Sequence, residues 1–190
     1  MQPTSDVKDP IVYEKLASYG MKQLTGRMVG YEIFDLDLAT QNGLTVTNIP
    51  AYSPRAIAEM GVTQAMYLIR NIGYFQQRMS NGDFRWNGMI SQEIHDLTVG
   101  IIGAGHIGGA SAQLYTALGA KVLATDPVYN VELEPYLEYT DLETVLTQSD
   151  IVTIHTPLKE DTRELINKDT LGKMKKSAYF INMARGGLVN

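Results

Sequence analysis

Apolar runs and helix-period stretches take turns from Leu97 onward. "LTVGIIG", "KVLATD", "DIVTIHTP" and "SAYFINMA" read as strands, and "HIGGASAQLYTALG", "DLETVLTQ" and "KDTLGKMK" read as the helices between them. Gly119 closes the first of these helices. Strands alternating with helices predict βαβ units, right-handed crossovers and a parallel sheet. Residues 151–154 are nearly continuously apolar, as a strand covered on both faces requires.

The pattern before Leu97 falls into two parts. Residues 1–52 read as helix, strand, helix, strand: "DPIVYEKLASYG" stopped by Gly20, "MKQLTGRMVG" turning at Gly30, "DLDLATQNG" ending at Asn42-Gly43, and "LTVTNIP" closed by Pro50. That is half of an α/β domain, too small alone to bury a good core. Ser53-Pro54 then reads as an N-cap and first helical position. One long helix is expected over 54–80, ended by Asn81-Gly82. Its apolar residues run nearly all the way round, from Ile57 and Met60 to Ile72 and Phe75, which predicts burial on several sides. Such a helix joins two domains through the core or forms a subunit interface. Trp86, in "DFRWNG", reads as a packing anchor near the crossing between domains.

Composition narrows the class. The chain has 190 residues, 44% of them apolar, enough for one domain and part of another. Sixteen basic against 21 acidic residues give a net charge of −5, a poor balance for binding phosphate backbones, so no nucleic-acid partner is expected. Lys173, Lys175 and Lys176 read as a solvated helix end. The absence of cysteine removes disulfides, thiolate zinc sites and cysteine nucleophiles, and fits a reducing compartment. No membrane span is expected, and the polar start "MQPTSDVKDP" lacks a secretion signal's apolar core, so a cytoplasmic location is expected.

The richest chemistry lies in "GIIGAGHIGG". Gly103, Gly105 and Gly108 have G-x-G-x-x-G spacing, with a strand before and a helix after. The first glycine permits a tight turn, the second lets a pyrophosphate approach the backbone, and the third lets helix and strand pack closely. The helix N-terminus offers unpaired N–H groups to phosphate. His106 and Ile107 would face the cofactor through their backbone. Asp126 ends the next strand, near the roughly 20-residue spacing expected of the acid that binds a ribose 2′-hydroxyl. No Arg or Lys follows in "PVYN" to hold a 2′-phosphate, so NAD is expected over NADP. The bland alternative is that the glycines only turn the chain and Asp126 only caps a local structure.

Strand ends in an open parallel sheet face the ligand crevice. His155, Thr156 and Pro157 end the third strand of the second region, and Met183, Ala184 and Arg185 end the fourth. They are the natural walls for a nicotinamide ribose and its substrate. For His155 the favoured reading is a hydrogen-bonded structural histidine. Arg185 can grip a carboxylate through two parallel bonds, and the glycines after it suit a special backbone geometry.

"GHIG", "TDP", "HTPL" and "NMARGGLVN" together resemble the NAD-dependent D-2-hydroxyacid dehydrogenases. "TNIPAYSPRAIAE", "GDFRWNG" and "RMVGYEIFDLDLA" resemble the D-lactate and D-2-hydroxyisocaproate dehydrogenase branch in particular. The resemblance spans essentially the whole chain. It implies reduction of a 2-oxo acid such as pyruvate or a branched 2-oxo acid to the D-2-hydroxy acid, with Arg185 holding the substrate carboxylate and polarising the oxo group. It implies substrate contacts from the backbone amides of Val29 and Gly30 and from Tyr52, and a homodimer built around the helix after Tyr52. Met28 departs from the asparagine usual before "VG". The expected architecture is α/β: a Rossmann-type doubly wound parallel sheet in residues 53–190, incomplete on its C-terminal side, preceded by part of a flavodoxin-like substrate domain in residues 1–52. The family's glutamate and its acid–base histidine would come after the last residue here, so the chain reads as the middle of a dehydrogenase. The family also contains NAD-binding corepressor scaffolds, a second reading, and an inert fragment is the third.

Overall fold

The computed structural model describes residues 7–88 and 90–190. The chain divides into two compact units, Met1–Ser53 and Pro54–Asn190.

The first unit is small and held by polar ties. Helix α1 (Pro10–Ser18) starts where the Asp9 carboxylate accepts the Ile11 N–H at 3.0 Å, and α2 (Leu36–Gln41) starts at Asp35 in the same way, with Leu38 N–H at 2.9 Å. Strands β1 (Gln23–Thr25) and β2 (Thr45–Thr47) pair in parallel over three residues each. Tyr13 is the hub. It is fully buried beside Ala39 and Leu44, and its hydroxyl donates to Val7 O at 2.5 Å while accepting Asp35 N–H at 2.8 Å.

The second unit opens with two helices, α3 (Pro54–Ile69) and α4 (Ile72–Ser80), where one was expected over 54–80. The break is at Asn71, whose φ of +54° puts it in the left-handed region, a conformation asparagine tolerates better than most residues. Ser53 takes φ +48° and so is not the extended N-cap expected before Pro54. Burial also differs from the expectation. Ala58, Gly61, Ala65 and Ile69 form one inward stripe at helical spacing, while Met60, Leu68 and Ile72 are exposed. Trp86, expected as an anchor, is 79% exposed.

Five parallel strands follow: β3 (Thr98–Ile102), β4 (Lys121–Thr125), β5 (Glu138–Tyr139), β6 (Ile151–Ile154) and β7 (Tyr179–Asn182), in the spatial order β5-β4-β3-β6-β7. The two-residue β5, too short to show a period, adds an edge the sequence pattern does not predict. Helices α5 (His106–Ala117), α6 (Leu142–Gln148) and α7 (Lys168–Lys173) connect them. One core packs α3 and α5 on one face through Ala65, Ile69, Ala112, Tyr115, Val99, Ile101 and Ile151. The other packs α6 and the segments near α7 on the opposite face through Val145, Leu146, Leu123, Val152, Ile154 and Ile166. The sheet is therefore doubly wound, and the order reverses between β3 and β6, where such sheets bind ligands. Lys175 is not merely a solvated end: it pairs with Asp150 at 2.8 Å, whose other oxygen accepts Thr98 N–H at 2.9 Å at the start of β3.

Candidate functional site

The carboxyl ends of β3, β4, β6 and β7 bring the candidate residues of the second unit together. Strand β3 runs into Gly103, whose φ of +92° makes the turn. A Cβ there would lie 2.7 Å from Thr156 Oγ1 and 2.9 Å from Thr156 N, so the loop after β6 presses directly on it. Thr156 in turn donates its hydroxyl to Ile102 O at 3.2 Å, and His155 N–H donates to the same carbonyl at 2.8 Å. Helix α5 begins at His106 with Gly105 as its N-cap, and Gly109 N–H closes the first turn onto Gly105 O at 2.7 Å.

The three glycines differ in what demands them. A Cβ at Gly108 would sit 1.9 Å from Gly103 O, so only glycine lets α5 lie against the turn. At Gly105 φ is −71°, ordinary for any residue, and a Cβ would meet nothing within 4 Å. The chain itself does not require that glycine. The open space above it, at a helix N-terminus with unpaired N–H groups, suits a pyrophosphate. His106 is exposed, Ile107 half-buried and Gly108 buried.

Asp126 follows β4. Its Oδ2 accepts Ala104 N–H at 2.7 Å and its Oδ1 accepts Val128 N–H at 2.7 Å. Each carboxylate oxygen keeps a further lone pair. A negative charge fixed here favours ribose hydroxyls and disfavours a 2′-phosphate.

His155 sits under α5. Its Nε2 lies 3.2 Å from Ser111 Oγ and 3.1 Å from Thr153 Oγ1, and Nδ1 is buried with no hydrogen-bond partner among the described residues. Burial pushes the imidazole down to about 4, so it is neutral at pH 7. It ties β6 to the cofactor helix. Ser111 and Thr153 were missed in the sequence; a serine flanked by Ala110 and Ala112 in the helix after the glycine loop was the available signal. Pro157 is exposed beside the half-buried Thr156.

At the end of β7, Met183 N–H bonds to Ile154 O at 3.2 Å. Asn182 shapes the next turn: its side chain accepts Ala184 N–H at 2.9 Å and donates to Arg185 O at 2.8 Å. Sequence reasoning missed Asn182; an asparagine at the end of a strand was the available signal of such a turn. Arg185 is extended and exposed, with Nη1 on Ala184 O at 3.1 Å. The glycines after it do not take the special geometry expected. Residues 186–188 form a 3₁₀ turn, and a Cβ at Gly187 would meet the Leu158 side chain at 3.0 Å, a tight contact.

The remaining candidates belong to the first unit. Val29 and Tyr52 are exposed, and Gly30 is half-buried. Asn48 Nδ2 donates to Val29 O at 2.6 Å, and Ile49 N–H to Met28 O at 3.2 Å, so the Val29–Gly30 turn is strapped to the segment after β2.

Comparison with known proteins supplies the rest. The model of the D-isomer specific 2-hydroxyacid dehydrogenase NAD-binding domain matches residues 62–190. The chain is 45% identical over 192 residues to a D-2-hydroxyacid dehydrogenase (NAD(+)) of Clostridioides difficile, covering 100% of this chain and 58% of that protein. Among solved structures it resembles D-lactate dehydrogenase with NAD+ from Lactobacillus jensenii, at 53% identity and a TM-score of 0.83, over 100% of this chain and 58% of that one. It also resembles D-2-hydroxyisocaproate dehydrogenase, at 38% identity and a TM-score of 0.89, over 100% and 57%. The chain thus spans little more than half the length of the relatives it matches.

Proposed function

Because this chain belongs to the D-isomer specific 2-hydroxyacid dehydrogenase family and carries its NAD-binding domain, we propose that the protein interconverts a small 2-oxo acid and the corresponding D-2-hydroxy acid. When bound, NAD supplies the hydride acceptor or donor at its nicotinamide. The chain's own residues do the rest. The first turn of α5 holds the pyrophosphate over Gly105, and Asp126 accepts from the adenosine ribose. His155, Thr156, Pro157, Met183 and Ala184 line the strand ends toward the nicotinamide ribose. Arg185 holds the substrate carboxylate with two parallel bonds and stabilises negative charge growing on the oxo oxygen. The resemblance assigns further substrate contacts to Val29, Gly30 and Tyr52 of the first unit. The resemblance assigns proton transfer to a glutamate and a histidine outside these 190 residues.

The observation that carries this reading is the vacant Cβ position at Gly105, a glycine that the fold does not need and a phosphate does. Pyruvate and 4-methyl-2-oxopentanoate are the substrates to try, since relatives of both kinds match. A homodimer through α3 and α4 fits their exposed Met60, Leu68 and Ile72. Among the described residues no helix is long and apolar enough to cross a membrane; we place the protein in the cytoplasm, without nucleic-acid partners at its net charge of −5. The test is NADH-dependent reduction of the two acids by the native protein and its Arg185→Gln variant. The variant should raise KM strongly and lower kcat. An unchanged kcat/KM would remove Arg185 from the mechanism.

A further inference from the structure

The ribose reading gives Asp126 one task, and the hydrogen bonds give it another. Ala104 is the residue between the turn glycine and the glycine under the pyrophosphate. It is 5% exposed, and its amide donates to Asp126 Oδ2 at 2.7 Å. The other backbone bonds near the turn flank it: Gly103 N–H reaches Thr125 O at 2.9 Å, and Gly109 N–H reaches Gly105 O at 2.7 Å. Between those two anchors the Ala104 side chain packs in the core, and among the described residues its N–H bonds to the Asp126 carboxylate. Its second oxygen is held by Val128 N–H at 2.7 Å, which stops the carboxylate from turning away. An amide bound to a carboxylate is a charge-assisted bond, stronger than an amide–carbonyl bond.

We propose that Asp126 is a positioning residue for the glycine loop: through Ala104 N–H it sets the Gly103–Gly105 backbone and the start of α5 in the pyrophosphate-receiving conformation before any cofactor arrives. This rests on the NAD reading of the site and adds a coupling to it. Selectivity and loop geometry share one carboxylate. Deleting it to admit a 2′-phosphate also releases the loop, so the loss falls on both nucleotides. Asparagine has a single side-chain acceptor oxygen and no charge. It can keep the Ala104 bond or the Val128 bond but not both. It therefore separates the two tasks: repulsion of the 2′-phosphate goes, and part of the loop tie stays.

The experiment compares the chain with its Asp126→Ala and Asp126→Asn variants. Amide hydrogen exchange is followed residue by residue without nucleotide, and NADH and NADPH are titrated separately into each protein. In Asp126→Ala, exchange at Ala104 should speed up about tenfold or more while β3 and β4 amides hold their rates, as expected for loss of a charged hydrogen bond worth that factor. NADH affinity should fall by more than about tenfold, with no gain for NADPH over the parent chain. In Asp126→Asn, Ala104 should stay better protected than in the alanine variant, and NADPH should bind better than to that variant. Equal Ala104 exchange in all three proteins, or NADPH binding by Asp126→Ala as tight as by Asp126→Asn, would overturn the proposal. If Asp126→Ala does not fold, Asp126→Asn against the parent carries the exchange test, and unchanged Ala104 exchange overturns it. Failure of the parent chain to bind NADH would count against the NAD reading, whereas the exchange arm reports on the tie alone.

Discussion

The two units hold their functional residues by different means. In the second, β3 and β6 are covered on both faces: Val99, Ile101, Ile151, Val152 and Ile154 are wholly inaccessible. Their ends cannot shift without disturbing both cores, so Gly103 and Thr156 inherit fixed positions, and the strands paired to them, β4 and β7, carry Asp126 and Met183. In the first unit the two paired strands have three residues each, and none of those six residues is buried. Order there combines a small apolar cluster around Tyr13, Ala39 and Leu44 with single polar ties, chiefly from Tyr13 and Asn48. A double-faced sheet distributes the burden of positioning over many apolar contacts, while a short ladder concentrates it in a few hydrogen bonds.

The contrast predicts where single changes will hurt. Gly108→Ala should have the largest effect, since its Cβ would overlap Gly103 O at 1.9 Å. A destabilisation of about 3 kcal/mol or more is expected, with loss of NADH binding, read by thermal melting and titration. A neutral outcome would mean the α5 junction is not rigid.

Acid should act next, through His155. Its folded value is about 4 against an ordinary 6.5, so the unfolded chain binds the extra proton first as pH falls. The contribution of His155 to stability should decline from about pH 6.5 to about pH 4, by about 3 kcal/mol, and change no further below that. His155→Gln should flatten that slope in denaturant titrations at a series of pH values. A slope unchanged in the variant would assign the acid sensitivity elsewhere.

Tyr13→Phe should cost about 2 kcal/mol, because Val7 O and Asp35 N–H lose their shared hydroxyl. Hydrogen exchange should show the loss in residues 7–53 and leave the five-stranded sheet protected. Lys175→Ala should do least. The pair with Asp150 is partly exposed, and Asp150 keeps its bond to Thr98 N–H, so about 0.5 kcal/mol is expected. A larger loss on melting would show that the pair anchors β3.

Much of the second unit was legible because its signals are local and repeated. Continuous apolar strands, helices between them and G-x-G-x-x-G at a strand–helix junction each carry their own pattern. What escaped depended on tertiary context. The left-handed Asn71 splits a run whose periodicity reads as one helix. β5 is too short for any period. Trp86 is apolar by type and exposed by placement. At the site, Asp126 was legible by spacing to the glycines, whereas its bond to Ala104 N–H depends on how tightly the loop folds back. His155 was visible as a strand-end histidine, but Ser111 and Thr153 reach it only through the helix-on-sheet crossing. Arg185 was legible as a strand-end cation, and the glycines after it were misread: neither takes a positive φ, and the crowding at Gly187 comes from Leu158, distant in sequence.

Gly105 isolates the central claim, that this loop is built for a dinucleotide and not only for a turn. NADH should be titrated calorimetrically into the chain and into Gly105→Ala, with melting temperatures taken alongside. The account predicts saturable one-site binding by the chain, a loss of affinity of about tenfold or more in the variant, and nearly the same melting temperature, since the added methyl meets no atom of the protein within 4 Å. Equal affinity in the two proteins, or no binding by either, would contradict it.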